Sequence, residues 1–96
     1  MSPLKRKKLG KIRSELDKLD NSLIKLIKKR TNLVNQVLKL KDRKKEIIDN
    51  KRIKNILKNI RKKSIANKID PKITNRIWKN MIWSYIDYEK RNFKKK

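Results

Sequence analysis

Cysteine and histidine are both absent from the chain, glycine occurs once, proline twice, and aromatic residues make up 5%. Each absence removes a class of chemistry. Without Cys or His there is no disulfide framework, no Cys–His nucleophile pair and no zinc site of the usual kind. Gly10 alone cannot build a glycine-rich phosphate loop. No apolar run approaches the ~20 residues that span a membrane. The basic start, Met1–Lys8, is followed by no uninterrupted apolar stretch of the kind a secretion signal requires. A soluble, cytoplasmic chain of 96 residues, one small domain or half of something larger, with no membrane partner, is the expectation.

What the sequence has in excess is positive charge: 32 Lys plus Arg against 9 Asp plus Glu, a formal charge of +23. Lys, Ile and Asn fill half of the chain, with 24, 14 and 10 residues. All three have A/T-rich codons, so base composition alone can load a surface with lysine. The Lys:Arg ratio of 24 to 8 agrees, because Arg is the better bidentate phosphate ligand. Such a field attracts polyanions and small dianions alike, and it does not by itself call for a specific nucleic-acid partner.

Apolar residues recur at intervals of three and four, which predicts helices throughout. The first stripe runs Ile12, Leu16, Leu19, Leu23, Leu26, then Arg30, then Leu33, Val37 and Leu40. With no breaker between Lys11 and Lys41, this helix would be roughly 45–50 Å long. A compact chain of this size has a radius of gyration of only ~13 Å, so a second chain is the simplest cover for the stripe. Asp42–Ile48 reads as a connection. Asp49 is a candidate N-cap for a second helix with Ile53, Ile56, Leu57 and Ile60 on its apolar face. The pattern fades over Arg61–Lys68, and Asp70-Pro71 restarts it as N-cap and N1 of a third helix. That helix carries Ile73, Ile77, Trp78, Met81, Ile82, Tyr85 and Ile86. The fold class is all-α: one long helix and two shorter ones, with residues 1–8 and 92–96 expected to fray.

The informative charges lie where the pattern calls for apolar residues. Arg30 interrupts the heptad core, and Lys41 follows eleven residues later on nearly the same face, ~16 Å along the helix. Side chains pointing toward each other from these positions could hold one small anion. Arg13 is ~25 Å from Arg30 along the helix. It could approach that group only from a second, antiparallel chain. Glu89 extends the apolar face of Trp78, Ile82 and Tyr85; its alternative role is a salt bridge to a nearby lysine. Arg52 falls in the first turn after Asp49, an arrangement as common in a plain helix cap as in a binding site.

Taken in order, Ile12-Arg13-Ser-Glu15-Leu-Asp17-Lys-Leu-Asp20 with Leu23, Lys-Lys-Arg30, Val37-Leu-Lys-Leu-Lys41, Ile48-Asp49-Asn-Lys-Arg52 and Asp70-Pro71 leading to Ile77-Trp78 resemble the all-helical chorismate mutases of the intertwined-dimer type. The likeness extends from about Leu9 to Arg91. It implies a homodimer in which Arg13 reaches across from the partner chain and Arg30 binds a substrate carboxylate. Lys41 would serve a carboxylate and the ether oxygen, Asp49 and Arg52 would shape the wall beside the ring, and Glu89 would meet the same ether oxygen. The implied reaction, chorismate to prephenate in aromatic amino-acid biosynthesis, is an intramolecular rearrangement with no cofactor and no metal.

Two positions depart from that pattern and resemble the isochorismate-pyruvate lyase branch of the same fold. Ile53 stands where the mutases have a Glu directly after the second-helix Arg, and Tyr85 stands where a Ser is common. Glu89 departs from the lyase branch, where Gln is usual. The expected substrate is therefore a small dianion, chorismate, with isochorismate as the alternative. A basic helical nucleic-acid-binding protein is the alternative from another class, but that role wants cations on exposed faces, whereas Arg30 sits in an apolar seam.

Overall fold

The computed structural model describes residues 1–94. They form α1 (Pro3–Leu40), a short 3₁₀ turn (Lys44–Ile47), α2 (Asn50–Ala66) and α3 (Pro71–Asn92), with no strand among the described residues. The all-α class read from the periodicity holds. No helix among the described residues is long and apolar enough to cross a membrane. The chain divides into two units, Met1–Leu33 and Val34–Lys96.

The first unit consists of the leading part of α1 with its short N-terminal lead-in. Helix begins at Pro3, ahead of the breaker-free run from Lys11, so most of the segment 1–8 expected to fray is helical in the structure. The reason is a local start signal. The Ser2 side-chain oxygen accepts the Lys5 N–H at 3.3 Å, the Ser2 carbonyl accepts the Arg6 N–H at 2.9 Å, and Pro3 occupies the first helical position. The apolar stripe is left open: Ile12, Leu16, Leu19, Leu23 and Leu26 are each more than half exposed.

The second unit contains the core. Leu38 from the end of α1, Ile47 from the 3₁₀ turn, and Ile82 and Ile86 from α3 are buried together. Ile48, Ile53, Ile56, Leu57 and Phe93 pack against them. α2 opens as the sequence predicts, with Asp49 Oδ1 accepting the Arg52 backbone N–H at 3.0 Å. α3 opens on Asp70, which accepts the Lys72 N–H at 2.9 Å ahead of Pro71. Asn92 ends α3; of the tail expected to fray, Phe93 and Lys94 lie beyond the helix and residues 95–96 lie outside the described residues.

Helix continues through most of Arg61–Lys68, where the apolar period fades. Its buried position there is Ser64, only 3% exposed. Ser64 donates to the Ile60 carbonyl at 2.6 Å and meets Thr74 Oγ1 of α3 at 2.7 Å, so the helix contact is polar and satisfied. α2 then stops in a Schellman arrangement. The Lys68 N–H reaches the Ile65 carbonyl and the Ile69 N–H the Ser64 carbonyl, with Lys68 in the left-handed region at φ 56°. Glycine usually fills that position. Its absence from that position hid the stop.

Candidate active site

Two of the predicted residues meet. Lys41 follows α1 directly, and its backbone N–H still bonds the Leu38 carbonyl at 3.2 Å, which tightens the last turn. Its ammonium lies 3.4 Å from Glu89 Oε2 on α3, 48 positions away in sequence. The Glu89 side chain is 8% exposed and that of Lys41 17%. Glu89 occupies the buried face of α3 one turn beyond Ile86 and two beyond Ile82, where an apolar residue would be the default. A carboxylate is tolerated there because the lysine supplies an opposite charge. The separation is longer than the 2.7–2.9 Å of a tight charge-assisted bond. The cation is thus held without being fully committed. No buried side-chain polar atom among the described residues lacks a partner.

The other predicted residues are distributed around this pair or away from it. Asp49 is exposed and works as the α2 cap, with the Arg52 backbone as its donor. The Arg52 side chain is exposed. Ile53 is half-buried against the core. Tyr85 is half-buried, and its ring stands edge-on to that of Tyr88 at 6.4 Å between centroids, with an interplanar angle of 88°. Arg13 and Arg30 belong to the first unit, Arg13 exposed and Arg30 half-buried.

Beside Lys41 opens a cavity of about 560 Å³ lined by Asn35, Leu38, Lys39, Lys41, Tyr88, Asn92 and Lys94. Every ionisable group on that wall other than Tyr88 is a lysine, so its chemistry favours anions. Tyr88 and Asn35, which the sequence reasoning did not single out, join across it: the Tyr88 hydroxyl donates to Asn35 Oδ1 at 2.9 Å. Asn35, Leu38 and Lys41 recur every third residue, so they share one face of α1 and its extension. Tyr88 directly precedes Glu89. That spacing was the available signal, but neither residue interrupts an apolar stripe, and neither carries a charge that would draw attention.

The family model of chorismate mutase type II matches residues 12–90, a span that holds Arg13, Arg30, Lys41, Asp49, Arg52, Tyr85 and Glu89. No curated protein and no solved structure matches the chain.

A double-mutant cycle tests the energetic link between Lys41 and Glu89. Lys41→Met and Glu89→Leu should each lower stability, since either leaves the other charge poorly compensated, and the double substitution should cost less than the two singles together. The expected coupling is about 1 kcal/mol, read as urea midpoints at constant slope. Strict additivity would mean that the two groups are neighbours without an energetic connection.

Proposed function

The chain belongs to the chorismate mutase type II family, and from that premise we propose that it is a homodimeric chorismate mutase converting chorismate to prephenate. The observation that carries the reading is the meeting of Lys41 and Glu89 at 3.4 Å inside the matched span. These are the two residues that the resemblance assigns to the ether oxygen.

The rearrangement breaks one bond and forms another within a single molecule. It calls for no nucleophile and no proton relay, which suits a chain without His or Cys. The protein has to hold a dianion in its compact conformer and to place positive charge where the breaking ether oxygen becomes electron-rich. Arg30 and the partner's arginine equivalent to Arg13 hold the carboxylates, and Asp49, Arg52 and Tyr85 form the wall beside the ring. Lys41 turns from Glu89 toward the ether oxygen. Glu89 can donate to that oxygen only while protonated, because an ionised carboxylate is an acceptor alone.

The dimer is supported by the open stripe on the first unit. Burying side chains such as Leu16, Leu19 and Leu23 is worth about 1.5–3 kcal/mol each, and a second copy carries the complementary stripe under two-fold symmetry. A second reading, isochorismate-pyruvate lyase, draws support from Ile53. An apolar side chain packed against the core offers no acceptor to a substrate hydroxyl at that place.

Three measurements decide among these. Incubated separately with chorismate and isochorismate, the purified protein should yield prephenate from the first. Salicylate and pyruvate from the second, with no prephenate, would select the lyase. Arg13→Ala and Arg30→Ala should each be nearly inactive. After random subunit exchange, about a quarter of the parent activity should return, because a two-fold symmetric mixed dimer keeps one complete site of two; verified exchange without recovery would remove Arg13 from the partner's site. Finally, Glu89→Gln exchanges the carboxylate for an amide that can donate to the ether oxygen. Its kcat should equal or exceed the parent's at about pH 7.5, whereas Glu89→Leu, which can neither donate nor accept, should be nearly inactive. Equal losses in the two variants would leave Glu89 as an ion-pair partner only.

A further inference from the structure

We propose that Tyr88 and Asn35 are positioning residues: their hydrogen bond holds the end of α1 against α3, so that Lys41 is presented beside Glu89. The proposal rests on the mutase reading for its catalytic consequence, and on the geometry alone for its structural one.

Lys41 is one residue past the end of α1, where the helical ladder no longer restrains the backbone. Within the second unit, three kinds of side-chain link join this end of α1 and Lys41 to α3: Leu38 is buried with Ile82 and Ile86, Lys41 pairs with Glu89, and Tyr88 bonds Asn35. Leu38 contributes non-directional burial, which tolerates rotation and sliding. The ion pair, at 3.4 Å, is loose and must open when substrate takes the lysine. The Tyr88–Asn35 bond differs from both. At 2.9 Å it is directional, it is partly shielded from solvent, and it joins side chains that no step of the reaction displaces.

Its position suits this role. Asn35 is two helical steps of three from Lys41, on the same face, and Tyr88 is the residue before Glu89. Fixing Asn35 to Tyr88 therefore fixes the backbone segments that carry both members of the reactive pair. The ring of Tyr88 also stands edge-on to Tyr85, and its carbonyl accepts the Asn92 side-chain amide at 2.8 Å. The same tyrosine thus connects the end of α1, the Tyr85 ring and the last turn of α3.

Tyr88→Phe removes the hydroxyl and keeps the ring contact. Asn35→Leu removes the acceptor, and Asn35→Asp retains it. With chorismate, Tyr88→Phe and Asn35→Leu should each lower kcat and kcat/KM together by about fivefold with KM little changed. This is the pattern of an interaction lost in the transition state; the size corresponds to one net hydrogen bond. The double variant should be no worse than either single, and Asn35→Asp should recover most of the activity. Folded variants with unchanged kcat would overturn the proposal.

A second measurement needs no substrate. Lys41→Met should lower the melting temperature clearly in the parent and less in the Tyr88→Phe background, because an unpositioned lysine has less of its ion pair to lose. Equal losses in the two backgrounds would refute the brace. A parent that converts no chorismate, combined with unequal losses, would retain the brace and reject the mutase reading.

Discussion

The arrangement of this protein depends on an apolar stripe that the chain leaves uncovered. Helix α1 carries its 4-3-4-3 pattern through the first unit, and the leucines there remain exposed. The buried core is confined to the second unit and contains Leu38, Ile47, Ile82 and Ile86. So small a core gives modest stability to a chain of this length. The uncovered stripe therefore holds burial free energy that the chain does not use. The proposed dimer would cover this surface, which also bears Arg13 and Arg30.

Within the second unit, polar groups are used sparingly and in pairs. Ser64 meets Thr74 between α2 and α3, Tyr88 meets Asn35 between α3 and α1, and Glu89 meets Lys41 at the end of α1. Each pair satisfies what would otherwise be a costly buried or half-buried group. Each also fixes a relative position that isoleucine packing alone leaves loose. In a core built largely from Ile and Leu, directionality comes from these pairs.

The same economy fits the chemistry proposed. A pericyclic rearrangement needs placement and electrostatics, both of which lysine, arginine and a carboxylate provide. The overall charge of +23 attracts a dianion to any part of the surface. Selectivity must then come from the few cations that packing holds in place, and Lys41, mostly buried beside Glu89, is one of them.

Much of the architecture was legible in the order of residues, because helix periodicity and capping are local. The all-α class, the caps at Asp49 and Asp70, Pro71 at N1 and the apolar faces of α2 and α3 all follow from spacing and side-chain chemistry within a few residues. The start at Pro3 was equally local, but a run of lysines masked it. The extension of α2 to Ala66 was not legible, since its buried face turns polar at Ser64 and its stop uses Lys68 where glycine is usual. Of the site, the residue types at Lys41 and Glu89 stood out as charges on apolar faces. Only the packing of α3 against the end of α1 decided that the two would pair with each other, and that Tyr88 would reach Asn35. Spacing along one helix determines which face a side chain occupies, whereas contact across 48 or 53 residues depends on where two helices are placed by everything else they bury.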